Sequence, residues 1–190
     1  MSSLKTAIAA LQEVLDACKE LGLLVEEAGA IIIHALQSGH KLLTCGNGGS
    51  AADALHLSEE LVGRYKVKRR ALPAICLNAD VTVLTCIAND FGYDQIFTRQ
   101  VEALGQSGDV LVGFTTSGNS PNVWAAFDQA RAHGVKTILL SGKEGGRAKG
   151  CCDYEIIVPS ETTARIQEVH TLILHQWLEA IDRLDWDDLG

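Results

Sequence analysis

The stretch Leu42-Leu43-Thr44-Cys45-Gly46-Asn47-Gly48-Gly49-Ser50 decides how this chain folds, because an apolar run enters it and a helix-forming run, residues 51–61, leaves it. Three glycines within four positions add nothing to packing. They are best explained by a backbone that turns sharply and is approached closely by another group. Ser50 stands where the N-cap of the following helix is expected. A strand, a glycine turn and a Ser-capped helix start together predict a binding site for an anion.

Two polar side chains on that predicted helix, His56 and Glu60, are four residues apart. They therefore lie on one face of the helix, one turn from each other. This spacing lets an imidazole and a carboxylate converge on one metal ion or one substrate. A solvated helix face with a weak His–Glu contact is the alternative, and the glycine turn just before the helix favours a functional role.

Composition limits the class of protein. With 190 residues and 47% hydrophobic content, the chain is long enough to bury one sizeable core, so we expect a single domain over residues 1–190. The net charge of −8 argues against nucleic acid as a partner, because a phosphate-backbone binder needs an excess of Lys and Arg. A small anion would be held by backbone N–H groups and hydroxyls. No apolar run reaches membrane-spanning length, which predicts a cytoplasmic protein without a membrane contact.

The cysteines form neither a CxxC motif nor a metal-finger spacing, and several lie inside apolar runs. We therefore interpret them as reduced thiols. They are Cys18, Cys45, Cys76, Cys86, Cys151 and Cys152.

Strands and helices are predicted to alternate along the chain, with no hairpin signal between strands. This alternation predicts a three-layer α/β sandwich of Rossmann-like type, with a central five-stranded parallel sheet covered on both faces. Helices at 4–18 and 23–36 precede the first strand, so the helical segment 1–39 packs on the domain or on a neighbouring subunit. The predicted strands are 41–45, 71–77, 109–114, 135–140 and 154–158; the other predicted helices are 51–62, 80–88, 94–104, 121–133 and 162–184, with a turn at 89–92.

A second hydroxyl-rich turn follows the third predicted strand. Ser120 at an N-cap with Pro121 at the first helical position is a strong helix start. Both special turns fall at the carboxyl ends of strands, where parallel sheets bind their ligands. The basic run 63–70 is either a solvated loop or a segment from which Arg64 reaches back to an anionic ligand.

The ligand itself is predicted from these two turns. A dinucleotide is one alternative, because Gly46-Asn47-Gly48 opens like the Rossmann fingerprint. However, the second strand ends at Leu77-Asn78 and Asp80 lies beyond it, so no acidic residue stands where a ribose would be held. The hydroxyls of Thr115, Thr116, Ser117 and Ser120 suit a single phosphate monoester better.

The order of several motifs makes the chain recognisable. It resembles the phosphoheptose isomerases of the sugar-isomerase (SIS) domain family over nearly its whole length. The motifs that carry this resemblance are Cys45 to Ser50, His56 with Glu59-Glu60-Leu61, Gly63-Arg64-Tyr65, Ala88 to Gly92, Thr116 to Ser120, and Arg165 to His170.

The resemblance implies an aldose–ketose isomerase that converts D-sedoheptulose 7-phosphate to D-glycero-D-manno-heptose 7-phosphate. It implies Glu60 and His175 as the acid–base pair, and a homotetramer with active sites between subunits. It also implies one divalent metal ion, usually zinc, at His56, Glu60, Gln167 and His175. The implied substrate-binding residues are Asn47, Gly48, Gly49, Ser50, Arg64, Asn89, Asp90, Thr115, Thr116, Ser117, Ser120 and Gln167.

The implied chemistry suits these side chains on its own terms. A ketose and an aldose interconvert through an enediol, which requires a base near C1 and C2 and a second group that moves the hydroxyl proton. Glu60 and His175 can fill these two roles. We expect His170, by contrast, to be a histidine that packs within the closing helix.

A non-enzymatic relative in the same family is the alternative. A bacterial adaptor that binds the replication initiator DnaA shares the segment found here at residues 164–168. This chain differs from the adaptor in having His175 and intact GNGGS and TSGNS turns. These features favour the enzyme.

Overall fold

Five parallel strands form the centre of the computed structural model, which describes residues 3–186. The predicted parallel α/β sandwich is confirmed; of the predicted domain, residues 1–2 and 187–190 lie outside the described part. The strand order is β2-β1-β3-β4-β5. The strands are β1 (Leu42–Gly46), β2 (Ala74–Cys76), β3 (Val110–Thr115), β4 (Lys136–Gly142) and β5 (Tyr154–Val158).

Helices cover both faces of this sheet. Alternation along β3 explains the two layers: Val110, Val112 and Phe114 face one hydrophobic cluster, and Leu111 faces the other. The first cluster packs under α2, α3 and α7, and the second under α4, α5 and α6. The α-helices are α1 (Leu4–Ala17), α2 (Gly22–Gln37), α3 (Gly49–Val62), α4 (Val81–Phe91), α5 (Thr98–Leu104), α6 (Pro121–Ala132) and α7 (Thr163–Ile181).

Two predicted segments differ from the structure around β2 and α4. Strand β2 has three residues instead of seven, because Pro73 has no N–H for a sheet and Leu72 donates its own N–H to the Leu61 carbonyl at the end of α3. The turn predicted at 89–92 is wrong for its first three residues, which continue α4. The helix ends only at Gly92, whose φ of 89° is in the left-handed region. Consequently α5 begins at Thr98, after a short 3₁₀ turn at Tyr93–Gln95.

Two further sequence expectations bear on the class of protein. All six cysteines are free thiols, and Cys45 and Cys76 are buried in the core. Within residues 3–186, none of the helices is both long enough and apolar enough to cross a membrane.

Candidate active site

The two special turns lie side by side, because β1 and β3 are neighbouring strands whose following helices pack on opposite faces of the sheet. Such a switch point leaves a crevice at the carboxyl edge. A reciprocal amide pair joins the two turns: the Asn47 amide nitrogen donates to Asn122 Oδ1 and the Asn122 nitrogen donates to Asn47 Oδ1, both at 2.9 Å. Asn122 is fully buried in the first turn of α6.

The first turn enters α3 earlier than the sequence predicts. Gly48, with a φ of 56°, is the N-cap residue, and Ser50 is the second residue of the helix and 3% exposed. The prediction of Ser50 as the N-cap is therefore wrong, because a glycine that accepts this backbone conformation starts the helix before it. The end of β1 is fixed from the side by Asn78, which donates to the Gly46 carbonyl (2.9 Å) and accepts from the Gly46 N–H (3.1 Å). The backbone of Gly48 and Gly49 is left exposed at the helix start.

The second turn places several hydroxyls at the same edge. Ser120 is the N-cap residue of α6 with Pro121 at the first helical position, as predicted. Its hydroxyl, however, is hydrogen bonded to the Thr115 hydroxyl (3.0 Å) instead of capping the helix. Ser117 accepts from the Asn119 N–H (3.2 Å), and Thr116 and Ser117 are both half-buried. These hydroxyl groups can donate to a phosphate that enters from solvent.

A second group of polar side chains converges where α3 packs against α7. His56 Nε2 lies 3.5 Å from Glu60 Oε1. The ring of His175, on α7, lies 5.0 Å from the His56 ring at an interplanar angle of 83°. The His175 ring is also stacked on Tyr65, with ring centroids 5.4 Å apart. The structure thus brings together three of the four residues predicted to hold a metal ion.

Gln167, the fourth of them, lies closer to the glycine turn. Its amide packs directly against the Gly49 backbone, where an added Cβ would collide with it. Gln167 is two turns before His175 on α7, so it stands between the turn and the histidine–carboxylate cluster.

Burial sets the charge of His175. Desolvation lowers the pKa of the imidazole below its ordinary value, and the nearby His56 lowers it further, although Glu60 acts in the opposite direction. His175 is therefore neutral at neutral pH and can both accept and donate a proton.

The buried carboxylate of Asp53 is a neighbour that the sequence analysis missed. Its Oδ1 accepts from the Thr171 hydroxyl (3.1 Å), and within the described residues its buried Oδ2 has no hydrogen-bond partner. Burial raises the pKa of the Asp53 carboxyl. An aspartate three residues before His56, near the start of a helix, is the only sequence signal.

Three other predicted substrate-binding residues, Arg64, Asn89 and Asp90, are exposed. Arg64 follows the far end of α3, which begins at the glycine turn and runs away from it, so within this chain it does not join the two turns. Asn89 donates to Asp90 (2.7 Å) in the last turn of α4. Tyr93, just after the end of α4, contacts the glycine turn: its hydroxyl donates to Asn47 Oδ1 (2.9 Å). Tyr93 and Asn122 were not predicted, since their partner lies 46 and 75 residues away in the chain.

Most of the basic run 63–70 is exposed, as the interpretation as a solvated loop predicts, but Arg69 is an exception. The Arg69 side chain is 4% exposed and pairs with Asp182, itself 6% exposed, at 3.1 Å. Arg64, by contrast, remains exposed.

The expectation for His170 is confirmed. Its side chain is fully buried and its Nε2 lies 3.1 Å from the Ser141 carbonyl oxygen. Burial lowers the pKa of His170 to about 4, so the ring is neutral and serves packing.

Known proteins resemble this chain in sequence and in structure. A model of the SIS domain family matches residues 7–142. The chain is 48% identical over 184 residues to a phosphoheptose isomerase of Geobacter sp. (strain M21), a match that covers 96% of each chain. It is 52% identical over 164 residues to one from a Nitratiruptor species, covering 86% of this chain and 88% of that one. A solved phosphoheptose isomerase from Francisella tularensis superposes with a TM-score of 0.88 at 36% identity, covering 97% of this chain and 100% of that chain.

Proposed function

The chain belongs to the phosphoheptose isomerases of the SIS domain family, a group of aldose–ketose isomerases, and we propose that it converts D-sedoheptulose 7-phosphate to D-glycero-D-manno-heptose 7-phosphate. The observation that carries this proposal is the convergence of His56, Glu60 and His175 from two helices, one of which begins at the glycine turn. A neutral imidazole and a carboxylate at one place are the groups that enediol chemistry requires.

In the proposed reaction, the Glu60 carboxylate takes the proton from C1 of the ketose. The C1–H electron pair forms the C1–C2 double bond of the enediol, and the carbonyl oxygen on C2 receives a proton from His175. The proton on Glu60 then returns to C2, while His175 removes the proton from the C1 hydroxyl, so that C1 becomes the aldehyde carbon. No proton is gained or lost overall, and both residues end in their starting states.

The phosphate lies in this proposal between the two turns, held by backbone N–H groups and by hydroxyls. The turns suit a single phosphate because they combine the start of α3 with the Thr115–Ser120 hydroxyl pair. Binding energy gained at the phosphate orients the far end of the sugar toward Glu60 and His175.

Ser120→Ala is expected to raise KM about tenfold to a hundredfold with little change in kcat. The substitution removes one charge-assisted hydrogen bond to the phosphate, on the order of 1.5 to 3 kcal/mol. Steady-state kinetics on the heptose phosphate measure this, with Ser38→Ala as the control because Ser38 is exposed at the end of α2. A parental KM in Ser120→Ala would contradict a phosphate site in this turn.

The proposed activity is tested by incubating the protein with D-sedoheptulose 7-phosphate and following the aldose product by NMR. The relatives named phosphoheptose isomerase, together with His175, support an enzyme over the DnaA-binding adaptor. Absence of the aldose, together with retention of the chain on immobilised DnaA, would support the adaptor instead.

We further propose that a zinc ion is held by His56, Glu60 and His175, with Gln167 as the fourth donor. In support, within residues 3–186 ligand atoms of His56 and Glu60 lie within 4.8 Å of each other, a group that also includes the exposed Glu59, and the His175 ring lies 5.0 Å from the His56 ring. Bound zinc would polarise the sugar carbonyl. His56→Asn is expected to lower the zinc content per chain measured by mass spectrometry, whereas His34→Asn on the exposed face of α2 is not. Equal zinc in both variants would contradict this set of ligands.

The N-terminal helix supports a proposed homotetramer with active sites between subunits. No residue of α1 is buried within the chain, and its apolar side chains Leu4 and Ile8 are 77% and 48% exposed. Apolar area of this kind is stabilised by burial against another subunit. Sedimentation velocity at micromolar concentration is expected to give a tetramer, which Ile8→Glu weakens and Thr6→Glu, on the opposite face of α1, does not. A parental monomer would contradict the proposal.

A further inference from the structure

The buried arginine of the basic run joins the ends of the two helices that carry the acid–base pair. The Arg69 guanidinium donates to the carbonyl oxygens of Glu60 (2.7 Å) and Leu61 (2.9 Å), which are in the last turn of α3. Its Nε also donates to Asp182 Oδ1 (3.1 Å), directly after the end of α7. A cation at carbonyl groups that end a helix is stabilised by the helix dipole. One planar side chain therefore fixes the end of α3 relative to the end of α7.

Asp182 holds the loop between these helices through its second oxygen. Asp182 Oδ2 accepts from the backbone N–H groups of Lys66 (2.8 Å) and Val67 (3.1 Å). The neighbouring Tyr65 is thereby held over His175, with its ring 24° from parallel to the imidazole. Together with Arg69, the carboxylate has three donors, so this buried charge is satisfied on every side.

We propose that Arg69, Asp182 and Tyr65 are positioning residues that set the geometry between Glu60 and His175; this inference rests on the proposed function. Arg69 holds the backbone of Glu60 itself, and Tyr65 stacks on the ring of His175 while His56 contacts that ring edge-on. A displacement of about 1 Å between reacting groups can lower a rate by about 10²-fold. These residues touch neither turn that holds the phosphate, so their loss affects the chemical step and not the binding of the phosphate.

Substitutions at Tyr65 separate positioning from general stability. Tyr65→Leu removes the stacked ring and is expected to lower kcat about tenfold to a hundredfold with KM within twofold of the parent. Tyr65→Phe keeps the ring and is expected to restore parental kcat. Asp128→Asn is the control, because it breaks the exposed Asp128–Arg131 pair (2.6 Å) on α6 and is expected to leave both constants unchanged.

The ion pair is tested in the same assay. Asp182→Asn and Arg69→Lys preserve approximate shape but lose the charge or the fork that contacts α3 and α7 together. Both are expected to follow Tyr65→Leu in kcat, and thermal unfolding establishes that each variant is folded. Parental kcat in folded Tyr65→Leu and Asp182→Asn, or a change confined to KM, would overturn the inference.

A readout independent of turnover comes from the reactivity of His175. Diethylpyrocarbonate modifies accessible imidazoles, and peptide mass spectrometry gives the rate at His175 relative to exposed His34. Tyr65→Leu is expected to accelerate modification of His175 severalfold, and Tyr65→Phe is not. If the parent fails to isomerise the heptose phosphate but this difference appears, the proposed function is wrong. The conclusion that Tyr65 covers His175 would still hold. Equal rates in both variants would remove Tyr65 from the inference whatever the parent does.

Discussion

His175→Asn is expected to lower kcat on D-sedoheptulose 7-phosphate by about 10² to 10⁴, the usual loss when a general acid or base is removed. Asparagine keeps a hydrogen-bonding side chain of modest size but cannot exchange a proton. His175 is half-buried and contacts Tyr65 and His56, and burial and His56 lower the pKa of its imidazole. Folding and KM should change little, because the phosphate turns lie elsewhere.

Variants at Glu60 and at His34 test the same prediction. Glu60→Gln is expected to cause a similar loss, and the double variant should lose much less than the product of the two single losses if both residues act in one proton-transfer unit. His34→Asn makes the same chemical change at an exposed position of α2 and is expected to leave kcat unchanged. Parental turnover in His175→Asn would show that the histidine takes no part in the reaction, and it would support the DnaA-binding adaptor as the alternative function.

Gly118→Ala is expected to reduce both stability and substrate binding. Gly118 has a φ of 65°, and a Cβ there would overlap the Gly145 carbonyl oxygen of the loop that follows β4. Alanine in this conformation costs about 1 to 2 kcal/mol, and the displaced backbone contact adds to that cost. We expect the free energy of unfolding to fall by about 3 kcal/mol and KM to rise at least tenfold, because the turn proposed to hold the phosphate must move.

Gly150→Ala separates the cost of backbone strain from the cost of the displaced contact between the two loops. Gly150 has a comparable φ of 80°, but a Cβ there would meet no atom within 4 Å. Chemical denaturation should therefore give only the cost of the backbone strain for this variant, with a parental KM. Equal losses in Gly118→Ala and Gly150→Ala would contradict close packing of the two loops as the reason for the glycine.

The fold was predictable because each strand is an apolar run between turn residues. Strand β5 agrees with its prediction residue for residue, and the other long strands agree within two residues at each end. The exceptions depend on contacts that no local pattern contains. Strand β2 is short because Leu72 bonds back to α3, and Ser50 is not the N-cap because the backbone of Gly48 turns first.

The site was predictable where its residues repeat at helical spacing or follow a strand. Both the helical spacing and the family resemblance predict that His56 and Glu60 are neighbours, and they are. The two turns lie at the same edge of the sheet, as predicted. The residues that hold the site in place were missed. Arg69 and Asp182 are 113 residues apart, and Asn47 and Asn122 are 75 apart. Separations of this size leave no local signal in one sequence.

The links that fix the two turns at the carboxyl edge of the sheet are uncharged. The amide pair of Asn47 and Asn122, the Asn78 contact with Gly46, and the Thr115–Ser120 hydroxyl pair contain no group that titrates between about pH 4 and 9. Acidification therefore leaves these links intact, whereas it protonates His175 once the pH falls through the lowered pKa of that imidazole. If the proposed function holds, we therefore expect acid to stop turnover while the two turns keep their structure.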